Sequence, residues 1–254
     1  MRDKEKAIEI FNKKPKYTNC YVTYNSFLNL IEKELFYVTD ENIFILKSEN
    51  NIFKFLYFTN NYDEIAKAES FLKNINTDVA LEYLTKENIT IPNFEKYGFG
   101  LYKIFSRYSV LKENRISPKR KSDEVQLADI EDIYDVQRIA QSIFDPLCDF
   151  IPTIKELEIF VQNKELFIIK KDEIIGFALY LKQPYGYDFR LNCVVPEYQS
   201  KLVGYKFVAN LPNDGKKYIC WADDNNSSAI RLNESIGFKT DGLKNYIFVR
   251  NISN

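Results

Sequence analysis

From residue 125 onward the chain alternates between two periods that only a sheet covered by helices can satisfy together. Runs dense in β-branched and aromatic residues (125–127, 166–170, 174–181, 189–195, 218–221, 246–249) are separated by stretches with apolar residues at helical spacing (130–144, 153–162, 202–210, 227–235). The order is β-α-α-β-β-β-α-β-α-β. It combines a hairpin, turned at Lys171-Asp172-Glu173, with helical crossovers. That mixture predicts an α/β (α+β) fold: a mixed, mostly antiparallel sheet flanked by helices.

The first half is less regular. Helices are expected over 27–35 and 62–74, with strands over 36–38, 43–47, 52–59, 79–84 and 101–111. The charged, proline-bearing stretch 112–123 (KENRISPKRKSD) reads as a linker, so the chain divides into domains 1–115 and 122–254. An echo links the halves: FEKYGF at 94–99 resembles NESIGF at 233–238, and a β-rich run follows each. Two tandem units of one design, the first eroded, account for it.

Composition removes whole classes of chemistry. The chain has no histidine, so Ser-His, Cys-His and His-metal mechanisms are excluded. Cys20, Cys148, Cys193 and Cys220 form no metal-ligand spacing and are read as reduced thiols. A net charge of −1 provides no global attraction to nucleic acid or to an anionic membrane. The basic run 115–121 has no interleaved aromatics and is read as a solvated connection. The longest apolar run, 174–181, is too short to span a bilayer, and the charged N-terminus shows no export signal. These features suggest a cytoplasmic protein. Richness in Ile, Asn and Lys hints at an AT-rich bacterial source.

Three segments carry the candidate chemistry. The first is Val195-Pro196-Glu197-Tyr198-Gln199-Ser200-Lys201-Leu202-Val203-Gly204, between a strand and a helix. Such a turn offers backbone N–H groups and the positive end of a helix dipole to an anion. The second runs from Asp224 through Asn226 to Ala229. The third runs from Leu232 through Asn233, Gly237 and Phe238.

With Val194-Val195-Pro196, Gln199, Gly204, Asn226, Ala229, Leu232, Gly237 and Phe238 in these positions, the part from residue 122 resembles the GNAT superfamily of acyl-CoA-dependent N-acetyltransferases. The resemblance implies acetyl-CoA as cofactor. Its pyrophosphate would lie on Gln199, Ser200, Lys201, Leu202, Val203 and Gly204, and its pantetheine arm beside Cys193, Val194, Val195, Asn226 and Ala229. Two positions depart from the family pattern. Leu202 replaces the first glycine of the phosphate turn and is expected to crowd it. Asn233 replaces a common tyrosine acid; an amide can hydrogen-bond a thiolate but cannot give up a proton to it.

For the general base, the resemblance points to Asp188, eleven residues before Gln199. Tyr198, Tyr205, Tyr246 and Tyr187 are acid candidates, with Tyr198 grouped with Asp188 and Asn233 as catalytic. The acceptor wall is expected from the loop 144–152, with Phe144, Asp145 and Asp149, and from the 182–188 turn with Tyr187; these suit a cationic amine. The expected function is acetyl transfer from acetyl-CoA to the primary amine of a small or amino-acid-like molecule, without metal, nucleic acid or membrane partner. The alternatives are a catalytically weak acyl-CoA-binding scaffold and an aminoacyl transferase of the tandem GNAT-like kind. Oligomeric state is left open between monomer and homodimer. The eroded half carries Asp63 and Glu64 where the phosphate turn would be, so it is expected to bind no CoA.

Overall fold

The computed structural model describes residues 2–116 and 121–251. Most of the linker's basic run, 117–120, lies outside the described residues. Among those described, the chain forms two compact units: Met1–Ile104 with Pro146–Cys148 and Asn245–Asn254, and Phe105–Asp145 with Asp149–Lys244. The mixed sheet with flanking helices is the architecture seen in both.

The first unit contains α1 (Arg2–Asn12), β1 (Tyr17–Thr18), α2 (Tyr24–Lys33), β2 (Leu35–Val38), β3 (Ile43–Glu49), β4 (Ile52–Thr59), α3 (Glu69–Leu72) and β5 (Val79–Lys86). Strands β2, β3 and β4 pair antiparallel; β4 then pairs with β5 in parallel. Alternation along β3 decides what each face buries. Ile43 and Ile45 pack with Ala7 and Ile10 of α1 and Phe27 and Ile31 of α2. Phe44 and Leu46 pack on the other face with Phe55, Tyr57, Leu72 and Phe94. The expected helix over 62–74 is a 3-10 turn, Tyr62–Ala68, running into the single turn of α3. Helix α1 was not expected: its apolar stripe is interrupted by charge, and its burial against β3 is what fixes it.

The second unit holds the end of β6 (Gly100–Leu111), β7 (Val125–Leu127), α4 (Ile133–Ile143), α5 (Ile154–Gln162), β8 (Leu166–Lys170), β9 (Ile174–Gln183), β10 (Gly186–Val194), α6 (Val203–Ala209), β11 (Lys217–Asp223), α7 (Ser227–Ser235) and the start of β12 (Lys239–Arg250). Hydrogen-bonded neighbours follow the order β6-β11-β10-β9-β8-β7. Strand β9 is apolar from Ile174 to Leu181 because both of its faces are covered there. Ile174, Phe177 and Leu179 lie under α4 and α5, while Ile175, Ala178 and Tyr180 lie under α6. Residues 112–116 also pack in this unit: Lys112 N donates to Lys216 O at 2.9 Å and Ile116 N to Ile236 O at 3.0 Å.

The sequence echo has a structural counterpart. Gly98 and Gly237 both take left-handed conformations, with φ 81° and 92°. Each is followed by a buried Phe (Phe99, Phe238) and a twelve-residue strand (β6, β12). β12 is therefore longer than the expected 246–249. Its first half is partly exposed and polar, so hydropathy alone does not reveal it.

Gly176 of β9 lies opposite Val194 of β10. A Cβ there would come within 2.7 Å of Cys193 O and 3.1 Å of the Phe207 ring. Gly176→Ala is expected to lower unfolding stability by about 1–3 kcal/mol, as overpacking does. Denaturant titration of the purified chain measures it; an unchanged midpoint would show that β10 yields freely.

Candidate active site

The candidate site starts at a parting of strands. β10 and β11 are parallel neighbours through four pairs, Gly186↔Lys217 to Phe189↔Cys220. Beyond that point β10 continues along β9 to Val194, while β11 continues along β6 to Asp223. Among the described residues no third strand enters between them.

The bend has a local cause. A bulge between Phe189 and Leu191 shifts the β10–β9 register by one residue, at Arg190. It also exchanges faces. Tyr187 and Phe189 belong to the cluster under α6, whereas Leu191 and Cys193 belong to the cluster under α4 and α5. Past the bulge, Val195 N donates to Ile175 O at 3.1 Å. By the two-residue alternation of an antiparallel ladder, Asn192 and Val194 then turn their main-chain N–H and C=O groups toward the β11 side. Gln199 Nε2 donates to one of these, Val194 O, at 3.1 Å.

Asp188 stands at the root of the parting. Alternation places it on the face that carries Leu191 and Cys193 beyond the bulge. It is 3 % exposed. Its Oδ2 is 2.6 Å from Arg190 Nη2, and its Oδ1 is buried without a hydrogen-bond partner. Burial pushes its pKa upward, and the charges of Arg190 and Arg107 act against that. The result is a dry carboxylate with one lone-pair face unused, which fits a proton acceptor.

The strand-to-helix turn follows. Residues 196–201 form a 3-10 turn, and Leu202 joins it to α6 in a left-handed conformation, φ 58° and ψ 20°. Leu202 thus adopts the glycine backbone of the resemblance. Its side chain is 73 % exposed and stands in solvent. The side chains of Ser200 and Lys201 lie outside the described residues. A Cβ on Gly204 would lie 3.5 Å from Leu232 Cδ2, 3.9 Å from Val194 Cγ2 and 4.0 Å from Asn192 Oδ1. The turn, the parted strand and α7 therefore converge at one glycine. Asn192 Nδ2 reaches Gly204 O at 3.4 Å.

Other expected residues have local duties. Asn226 caps α7, its Oδ1 accepting from Ala229 N at 3.0 Å. Asn233 is buried in α7, and its carbonyl accepts from Phe238 N at 3.1 Å. Tyr198 packs at the rim of the α6-side cluster beneath Lys171, whose Nζ is 5.5 Å from its ring centre. The Cys193 thiol is buried and its pKa is pushed up to about 12, so it is protonated near neutrality.

The expected acceptor residues do not all come together. Phe144 packs edge-on to Phe177 on the α4–α5 face. Asp145 and Asp149 clasp the same loop, Asp145 N donating to Asp149 Oδ2 at 2.9 Å and Asp149 N to Asp145 O at 2.8 Å. Tyr187 instead faces the α6-side cluster, stacks on Tyr218, and donates from its OH to Asp214 Oδ1 at 2.7 Å. Sequence reading missed Arg190, Asn192 and the bulge. The usable signal was an Arg two residues after an Asp on one strand.

No family model and no curated protein matches the chain. Solved structures do. The chain is similar to a GCN5-related N-acetyltransferase from Sphaerobacter thermophilus, with TM-score 0.62 and 9 % identity over 91 % of this chain and 86 % of that one. It is similar to a GCN5-related N-acetyltransferase from Anabaena variabilis, with TM-score 0.60 and 10 % identity over 100 % of this chain and 71 % of that one. It is also similar to an acetyltransferase of the GNAT family from Colwellia psychrerythraea, with TM-score 0.56 and 10 % identity over 97 % and 96 % of the two chains. The fold is GNAT-like along nearly the whole chain. Among the described residues no helix is long and apolar enough to cross a membrane, and no cluster of His, Cys, Asp and Glu could hold a metal ion.

A left-handed leucine costs roughly 1–2 kcal/mol relative to its right-handed form, about what the flexibility of glycine loses. Leu202→Gly is therefore expected to leave stability unchanged or raise it by up to about 1 kcal/mol. Thermal unfolding measures this. A clear fall in melting temperature would mean that the leucine side chain holds the turn in place.

Proposed function

We propose that this chain is an N-acetyltransferase that uses acetyl-CoA and passes the acetyl group directly to the primary amine of a small or amino-acid-like molecule. The observation that carries this reading is the parting of β10 from β11 beyond Phe189 and Cys220, with the buried Asp188 at its root. The residues present fit the cofactor. An extended amide-bearing arm needs a strand edge with N–H and C=O groups to spare, and Asn192 and Val194 present one. A pyrophosphate needs main-chain N–H groups at a turn not plugged by a side chain, and the Leu202 side chain lies in solvent rather than buried in the turn.

When bound, acetyl-CoA supplies the thioester. The chain's own residues supply position and a proton acceptor. Asp188 Oδ1 takes the proton that the acceptor ammonium must lose before nitrogen can attack; Arg190 holds the other oxygen, and its charge opposes the upward shift that burial imposes. Main-chain N–H groups at the parted edge of β10 would be the donors available to a thioester carbonyl oxygen bound there. Holding both reactants in one cleft lowers the barrier by roughly 7–11 kcal/mol through lost freedom already accounted for. Cys193, protonated and buried, takes no covalent part, which favours direct transfer. Phe144, which packs against the cluster holding Leu191 and Cys193, and the Asp145–Asp149 clasp beside it in sequence offer a wall that suits a cationic amine with an apolar body.

One observation favours a second reading. The buried Asn233, at the position of the family's tyrosine acid, cannot protonate a departing thiolate. A chain that binds acyl-CoA without turning it over would look the same there.

Calorimetry with acetyl-CoA and with CoA tests the donor, and thiol release over a panel of primary amines tests the transfer. Heat with acetyl-CoA plus amine-dependent thiol release is the expected result. Heat without release supports the second reading, and no heat with either ligand defeats both. Asp188→Asn is expected to lower kcat by roughly 10²–10⁴-fold while leaving donor affinity within a few-fold. Because burial raises the pKa of Asp188, wild-type kcat/KM should fall as pH drops through a point above the usual carboxylate range. That acid limb should vanish in the variant; a limb of equal height and midpoint in both proteins would exclude Asp188 as the base.

A further inference from the structure

We infer that the first unit contains a second cleft of the same design, which the chain fills with its own segment 16–20, so that only the second unit takes up a CoA thioester. The ligand named here rests on the function proposed above; the filling of the cleft rests on the first unit alone.

Strand β4 pairs in parallel with β5 at only two positions, Phe53↔Val79 and Lys54↔Ala80. β4 then runs on to Thr59 and β5 to Lys86, so the two part as β10 and β11 do. Here the opening is occupied. Asn19 Nδ2 donates to Phe55 O of β4 at 2.9 Å and to Glu82 O of β5 at 3.2 Å. Asn19 Oδ1 accepts from Tyr57 N at 2.9 Å. One side-chain amide thus bridges both strands with every donor and its acceptor engaged.

The residues on either side extend the filling. Tyr17 and Thr18 form β1, antiparallel to Thr59 and Phe58. Lys16 N donates to Asn60 Oδ1 at 3.0 Å. Thr18 Oγ1 accepts from Cys20 N at 2.9 Å, which turns the chain away from the cleft toward α2. The Tyr17 ring stacks on Tyr62 at 4.3 Å, over the wall of the opening. From Phe55 to Thr59, the edge of β4 that β5 leaves bare is covered by residues 17–19. An amide set against a strand edge is the contact a pantetheine arm would make there.

The turn after β4 supplies an independent reason. Where the second unit has Gln199 to Gly204, the first has Asp63 and Glu64. Asp63 accepts from Lys96 and from Tyr97, and Glu64 accepts from Lys67 and Asn42; these partners hold both carboxylates below their ordinary pKa. Asp63 and Glu64 thus occupy the first turn after β4 and engage the lysines beside it, Lys96 and Lys67, which are then not available to a diphosphate.

Two measurements on the full chain test the inference. Native mass spectrometry in excess CoA is expected to show one CoA per chain; two per chain would overturn it. Amide hydrogen exchange of Asn19→Ala against wild type is expected to show Tyr57 exchanging at least tenfold faster. The Phe53 amide, bonded to Asp78 O outside the opening, should keep its rate. An unchanged Tyr57 rate would overturn the filling. Should the variant fail to fold, wild type alone decides, because a Tyr57 amide exchanging like an unprotected one would overturn it equally. Should no CoA bind at all, the donor reading fails instead, and the exchange result still judges whether the cleft is filled.

Discussion

A strand that leaves its neighbour strips a row of main-chain donors and acceptors of their partners, and that row has to be satisfied by something. Each such group left buried and unpaired costs about 1–3 kcal/mol, so a parting several residues long survives only if water, a side chain or a ligand takes the vacated places. Both units of this chain contain such a parting, after Lys54 and Ala80 and after Phe189 and Cys220. The first unit meets the demand internally, with Asn19 and β1. The second meets only part of it, with Gln199 on Val194 O, and no strand among the described residues fills the rest. The difference in occupancy is what sets the second unit apart from the first.

The bulge at Arg190 makes that opening chemically useful. Without the extra residue, Asp188 would share its face with Asn192 and Val194, and β10 would have no local reason to bend from β11. With it, Asp188 shares the face of Leu191 and Cys193, under the helices whose connecting loop carries Phe144, Asp145 and Asp149. Arg190 then serves twice. It supplies the register shift, and its guanidinium opposes the upward pull that burial exerts on the pKa of Asp188. A buried carboxylate whose pKa is raised yet countered by a neighbouring cation is the kind of group a proton acceptor needs.

Much of this was legible in advance, and the parts that were not have one physical origin. Elements with strong period and clean caps are legible nearly to the residue: β7, α5, β8, α6 and α7. Spacing from Gln199 points to Asp188, and the structure places that residue buried where β10 parts from β11. The bulge was not legible, because a register shift is a property of the strand pair and leaves no mark on either strand alone. Asn19 went unnoticed for a related reason. Nothing local separates it from the many other asparagines of the chain, and its meaning comes from Phe55, Tyr57 and Glu82, which lie tens of residues away. Tyr187, expected in a loop at the acceptor wall, lies instead on β10, where alternation turns it to the face opposite Asp188.

The same contrast explains where the two halves still resemble each other in sequence. Gly98 and Gly237 need left-handed backbone, and at Gly237 a Cβ would strike Asn114 O at 2.7 Å. The aromatic residues after them, Phe99 and Phe238, are fully enclosed in their cores. Those demands come from the fold itself and hold in both units whatever else each does. The strand-to-helix turns answer to no such common demand. A cleft filled from within places no requirement for anion-binding N–H groups on the turn beside it, so Asp63 and Glu64 are tolerated there. A cleft left open to a diphosphate excludes carboxylates at that turn and favours an exposed backbone array like the one ending at Leu202. Divergence at the turns and likeness at the glycines are what one fold produces when one of its two clefts has been closed by its own chain.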